Sequence, residues 1–249
     1  MQNNNKRFLK FLIPTAFWLC IWHIASLIIG HSFLLPSISD TFIALTELLK
    51  ETKFYLVTLY SIFRVLFGLI LGSLIGVILA YASHRFSFIN YVISPLFTVI
   101  RSTPIASIII FLYIMMSGNM LTVIIAVMMV APIVWQNVLD SFNSIPKDLA
   151  EVCDAYEVDG FRRFKILVLP TVIKFFIPAL ITSSSLCWKA SVSAEIIAYT
   201  TKSIGQFISD AKNDLNSPRV FACTVVVIFL SIILEKLSKK LLRRCEAWL

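Results

Sequence analysis

Two uncharged apolar runs, Ile105–Met116 and Leu121–Val134, follow one another with only Ser117-Gly118-Asn119-Met120 between them. Neither alternates polar with apolar residues, so neither reads as a strand of a membrane barrel. In lipid, backbone groups have no water to bond to, and only helices or closed barrels satisfy them. Helices are the remaining solution. Only 14% of the residues are charged and the mean hydropathy is +0.86, against roughly 25% charged in a soluble domain. The expected fold class is all-α: a polytopic membrane protein with about six transmembrane helices, since about 20 apolar residues cross a bilayer.

The spans are expected at Phe11–Gly30, Leu59–Ala82, Tyr91–Ser117, Leu121–Leu139, Thr171–Ile197 and Arg219–Leu237. Basic residues assign the sides. Lys6, Arg7 and Lys10 precede the first span and Arg85 follows the second. Lys147, Arg162, Arg163 and Lys165 lie between the fourth and fifth. Lys236, Lys239, Lys240, Arg243 and Arg244 follow the sixth. The positive-inside rule places all of these in the cytoplasm, together with both termini. This accounts for the net charge of +8 without nucleic acid as a partner; membrane lipid is the surrounding medium. The first span is read as retained, because its long apolar run lacks a small-x-small cleavage site.

Between the first two spans, Pro36–Lys53 reads either as an external amphipathic helix capped by Ser39 or Asp40, or as a plain connector. The second span carries Gly68, Gly72 and Gly76. Glycines four apart share one helical face and admit a second backbone at close range, so this ridge is read as helix packing. Cys20, Cys153, Cys187, Cys223 and Cys245 are scattered, without metal-ligand spacing, and are read as free thiols with no metal site.

The charged island lies between the fourth and fifth spans: Glu151–Pro170, EVCDAYEVDGFRRFKILVLP. Ser144 is expected to cap a first helix with Pro146 and Asp148 in its opening turn. Glu157-Val158-Asp159-Gly160 reads as a turn. A second amphipathic helix, with Phe161 and Phe164 against Arg162, Arg163 and Lys165, leads to Pro170. Val152, Ala155, Tyr156 and Phe161 are residues of buried type, which a plain solvated loop would not need. The pattern suits a mechanical contact better than a catalytic site.

This stretch resembles the cytoplasmic EAA loop of permease subunits of binding-protein-dependent ABC importers. Glu151-Val152-Cys153 stands at the Glu-Ala-Ala positions, and Leu167-x-Leu169-Pro170 closes the loop at matching spacing. The sequence departs at the loop glycine, where Glu157 stands; the nearest glycine is Gly160. Thr58–Gly68 is similar to the start of the family's core. Pro95 with Arg101-Ser102-Thr103-Pro104, and Trp188-Lys189-Ala190 with Ala194-Glu195, resemble further patterns of the branch serving nitrate, taurine, alkanesulfonates and thiamine-precursor pyrimidines.

The resemblance implies residues 1–57 as an N-terminal span with an external segment. It implies residues 58–249 as a type I importer-like core with a cytoplasmic coupling helix-turn-helix at 141–170. It also implies a bacterial inner-membrane location, pairing with a second copy of the chain, a cytoplasmic ABC ATPase and an extracytoplasmic solute-binding protein. No Walker motif is present, so the chain is not expected to be an enzyme or to bind a cofactor; ATP and magnesium belong to the partner ATPase. The coupling residues would be Glu151, Val152, Cys153, Ala155, Tyr156, Glu157, Gly160 and Pro170. Glu151 would cap or pair within the docking helix, Tyr156 would fill a groove of the ATPase, and the turn at Gly160 would set the angle.

Lys189 lies deep in the fifth span, and an intramembrane cation normally faces a cavity or a partner. Ser184, Trp188, Lys189, Ser191 and Glu195 are the candidate pathway-lining residues, with Lys189 drawing in an anionic or polar solute. An ion pair with Glu195 or snorkelling are the competing readings for Lys189, although their spacing does not put the two on one face. Arg64 and Arg101 are read as snorkelling or structurally paired. For the chain as a whole, the alternatives are a stand-alone secondary carrier, a membrane scaffold and an intramembrane enzyme. The carrier would need inverted repeats and broken helices. The enzyme would need a catalytic set that His23, His31 and His84 do not form.

Overall fold

The computed structural model describes the backbone over residues 2–246, and the side chains of residues 13–240 except those of Lys147 and Ala150. The basic residues near both termini (Lys6, Arg7, Lys10, Arg243 and Arg244) and Cys245 therefore lie outside the described side chains. The helices run in the order α1 (Gln2–Ile29), α2 (Ile38–Lys50), α3 (Thr52–Arg85), α4 (Ser87–Ser102), α5 (Ile105–Met115) and α6 (Gly118–Asn143). They continue with α7 (Lys147–Ala155), α8 (Gly160–Arg163), a π-helical turn (Phe164–Val168), α9 (Leu169–Ile197), α10 (Ile204–Asn213) and α11 (Ser217–Glu246).

Among the described residues, four stretches are long and apolar enough to cross a membrane: Thr52–Arg85, Gly118–Asn143, Gly160–Ile197 and Ser217–Lys240. In α1 the described side chains form the apolar stretch Ile13–Ile29. The third expected span, Tyr91–Ser117, is not one helix. It is broken between α4 and α5, whose axes meet at 103°. The cause is local. Pro104 has no N–H to continue the helix, and its ring drives Thr103 into extended backbone at φ −79°, ψ 133°. Thr103 closes α4 instead, its N–H and hydroxyl both donating to the Val99 carbonyl at 3.0 and 2.7 Å.

The core is built on α3 against α6. A Cβ added at Gly68 would lie 2.3 Å from Ala126 Cβ, one at Gly72 2.8 Å from Val130 Cβ, and one at Gly76 2.8 Å from the Ala131 carbonyl oxygen. The bare face of α3 thus takes a ridge of α6 four residues apart, at a separation no larger residue permits. Indole groups add polar ties. Trp135 on α6 donates to Ser83 Oγ on α3 at 3.0 Å, and Trp188 on α9 donates to the Val227 carbonyl on α11 at 3.1 Å. A buried indole N–H without such a partner would be costly in lipid. The Phe97 ring of α4 meets Trp135 edge-on at 5.2 Å, which fastens the bent pair to this core.

The segment before α3 is helical, and its cap is Ser37 rather than Ser39 or Asp40. Ser37 Oγ accepts the Asp40 N–H at 3.0 Å while the Asp40 carboxylate accepts the Ser37 N–H at 3.4 Å, a reciprocal capping box. Thr41, Ala44 and Leu48 face inward, whereas Phe42, Ile43 and Leu49 look outward. α1 is tied to its own bundle at one end, where Trp22 donates to the Pro36 carbonyl at 3.1 Å. Most of its described apolar side chains are exposed, Trp18 and Ile28 among them.

Candidate functional site

At one end of the bundle, α7 and α8 form a helix-turn-helix that stands away from the core. α6 ends at Ser144, whose hydroxyl donates back to the Ser141 carbonyl at 2.8 Å. Ser144 therefore closes α6 and does not cap α7, which starts behind Pro146 without a side-chain cap. The end of α7 is a Schellman motif. The Val158 N–H donates to the Cys153 carbonyl at 2.9 Å and the Glu157 N–H to the Asp154 carbonyl at 3.1 Å.

The residue that closes this motif must be left-handed, and Glu157 is, with φ +50°. The turn expected at Gly160 is thus made three residues earlier. Gly160 is helical, and a Cβ there would meet nothing within 4 Å. A glutamate fills the position where the conformation favours glycine.

The second arm is not a separate helix. α8 passes through the π turn straight into α9, so Gly160–Ile197 is one continuous stretch of 38 residues. Pro170 supplies the reason: lacking an N–H, it cannot continue the i→i−4 ladder, and the turn before it widens, with the Leu169 N–H reaching back to the Phe164 carbonyl. A displacement of the arm therefore acts on α9 directly.

Apolar side chains on this projecting unit are uncovered: Tyr156 is 80% exposed, Phe161 76% and Val152 51%. Glu151 and Ala155 are exposed and Cys153 is half-buried. The described tie between the two arms is Arg163 to Asp154, at 2.6 Å.

The pathway candidates separate onto opposite faces of α9. Ser184, Trp188, Ser191 and Glu195 point into the interior of the subunit, whereas Lys189 is on the exposed face, in line with Thr182, Leu186 and Ser193. Lys189 does not pair with Glu195. The glutamate, fully buried, accepts from Arg64 Nη1 at 3.0 Å, from Ser61 Oγ at 2.8 Å and from the Gly205 N–H at 3.4 Å. Arg64 Nη2 also donates to the carbonyls of Thr201 and Lys202, each at 3.1 Å. Gly205 is required here, since a Cβ would stand 2.4 Å from that of Glu195.

This cluster ties α3 to the junction between α9 and α10, at the end of the bundle opposite α7. Sequence reasoning named Glu195 but not Ser61, Gly205 or the partnership with Arg64. The available signal was that Arg64 is the lone charge between Leu59 and Ala82, and an isolated intramembrane charge needs a partner. The junction contains two more left-handed non-glycine residues, Tyr199 at φ +47° and Lys202 at φ +53°. The Tyr199 hydroxyl donates to the Asp210 carboxylate, which holds its proton above the ordinary phenol range.

These features define a multi-pass helical membrane protein with an exposed helix-turn-helix at one end and a tethered junction at the other. Residues 72–246 match the family described as binding-protein-dependent transport system inner membrane component, and the chain belongs to that family: it is a permease subunit of an ABC importer, resident in the inner membrane. It is similar to the nitrate import permease protein NrtB of Synechococcus elongatus, with 24% identity over 248 residues that cover 93% of this chain and 88% of the relative.

Proposed function

We propose that this chain forms the translocation pathway of an ATP-driven importer for a small anion and couples it to a separate cytoplasmic ATPase through α7 and α8. The observation that carries the coupling is the exposure of Tyr156, Phe161 and Val152 on one projecting unit. In water such a cluster calls for a covering partner. The α7 end is assigned to the cytoplasm because Arg85, Arg162, Arg163, Lys165, Lys236, Lys239 and Lys240 gather there. That orientation leaves α2 and α10 outside, where a solute-binding protein delivers cargo.

The solute class follows from two features: the similarity to a nitrate import permease, and Lys189 on the exposed face of α9. That face lines the pathway between this chain and a second copy, while Ser184, Trp188, Ser191 and Glu195 support it from behind. Closure of the ATPase pulls α7 and α8 as a rigid unit, and the continuous helix passes the movement to α9. ATP and magnesium act on the ATPase. A stand-alone secondary carrier leaves the projecting apolar unit without a role, and the identity of the copurifying partner separates a permease from a scaffold.

The test is purification of the complex from native membranes through a tag on this chain. Wild type is expected to bring an ATPase with it. Tyr156→Ala should reduce the recovered ATPase at least tenfold while the permease stays folded, the loss of an interface anchor being worth roughly 2 kcal/mol or more. Full recovery of the ATPase with Tyr156→Ala sinks the docking role of α7.

A further inference from the structure

The end of the bundle opposite α7 holds a cavity of about 550 Å3 between the start of α3 and the α9–α10 junction. Lys53, Tyr60, Lys202, Gln206, Phe207 and Asp210 are among its lining residues. We infer that this cavity is an anion-binding vestibule, in which Lys53 and Lys202 hold a small oxyanion before it enters the pathway.

Three observations carry the inference. The first is charge. Two lysines face one carboxylate across the cavity, and among the described residues neither lysine has an ion-pair partner. Asp210 is already engaged, accepting from the Tyr199 hydroxyl. Arg64 is not among the lining residues; its charge is offset by Glu195, and its Nη2 donates to the Thr201 and Lys202 carbonyls. An excess of positive charge therefore remains in the cavity.

The second observation is backbone strain at the residue that supplies one of those charges. Lys202 is left-handed, and it is held there on both sides. Its carbonyl accepts from Arg64 at 3.1 Å and its N–H donates to Gln206 Oε1 at 2.9 Å. A strained conformation persists where surrounding bonds over-determine it, and such positions cluster at ligand sites. Here the two bonds aim the start of a cationic side chain at the cavity and remove its backbone polar groups from competition for a ligand.

The third is the wall. Leu56, Val57 and Phe207 also line the cavity. An apolar wall lowers the local dielectric and strengthens attraction between an ammonium group and an anion, while the Gln206 amide and Tyr60 hydroxyl can orient it. Leu56, Val57 and Phe207 form the apolar side of the concave surface and Lys53, Tyr60, Thr201, Lys202, Gln206 and Asp210 the polar side, and small-ligand sites combine apolar walls with convergent polar groups.

The role in import rests on the reading above, but binding itself requires neither ATPase nor transport. The full-length chain in nanodiscs of zwitterionic lipid is probed by chloride NMR line broadening, with nitrate as competitor. Wild type is expected to show saturable excess broadening that nitrate removes. The double variant Lys53→Gln/Lys202→Gln should weaken that competition by about tenfold, from the loss of two close cationic contacts. A control pair, Lys50→Gln/Lys212→Gln, removes the same charge outside the cavity and should leave competition within about twofold. Absence of saturable broadening in wild type, or an equal loss in both pairs, overturns the vestibule. Nitrate competition with no ATPase in the purified complex supports the vestibule and overturns the proposed coupling through α7 and α8; a copurifying ATPase without nitrate competition does the reverse.

Discussion

The turn between α7 and α8 and the junction between α9 and α10 use the same backbone device to opposite ends. Each bends sharply through left-handed residues that are not glycine: Glu157 in the first, Tyr199 and Lys202 in the second. The second is bound into the bundle. Arg64, Ser61 and Gly205 converge on Glu195, and Arg64 reaches the carbonyls of the bend itself. The first is closed by its own Schellman bonds and an exposed ion pair, with its apolar side chains turned outward. A bend secured by the bundle holds its geometry in isolation. A bend secured only by itself takes its final setting from whatever covers it.

The largest test of this contrast is Glu195→Ala. It leaves the Arg64 guanidinium unpaired at 16% side-chain exposure and removes the acceptor of Ser61 and Gly205. Breaking such a buried pair is expected to cost about 3–5 kcal/mol, read as a fall in thermal midpoint of the purified chain. A midpoint within a degree or two of wild type would show that the junction does not depend on the bundle.

Glu157→Gly sharpens the comparison from the other side. Glycine removes the steric cost of the left-handed conformation, which exceeds the entropy that it restores to the unfolded chain. Protection of the Val158 amide against hydrogen exchange should rise by about threefold, the equivalent of roughly 0.5–1 kcal/mol. Lower protection would mean that the glutamate side chain holds the turn.

The smallest effect is expected from Arg163→Ala. Its partner Asp154 is 67% exposed, and solvent-exposed pairs contribute about 0–1 kcal/mol, less in salt. The thermal midpoint should not move, and the loss of α7 protection should vanish at high ionic strength. A shift as large as that of Glu195→Ala would erase the distinction between the two regions.

Much of this protein is determined by sequence alone. Hydropathy specifies membrane-crossing helices because unpaired backbone groups are excluded from lipid. Glycines spaced by four identify the face of α3 that meets another helix. The ordered motifs from Thr58 to Glu195 identify the family without any coordinates. Local chemistry was less legible: Ser37 with Asp40, and Thr103-Pro104, contain the signals for a capping box and a helix break, yet the cap was expected at Ser39 or Asp40. Reading Tyr91–Ser117 as one span underweighted the proline.

Tertiary structure alone decided which residues meet across the chain. Glu195 and Arg64 are separated by 131 positions, and no periodicity within α9 or α3 reveals that they face each other. The same holds for the two sides of α9. Lys189 and Trp188 are neighbours in sequence, but adjacent residues on a helix point about 100° apart, so one is exposed while the other is buried against α11. Hydropathy treats the pair as one polar interruption of a span. Only packing assigns one to the interior and leaves the other for solute, lipid or a second subunit.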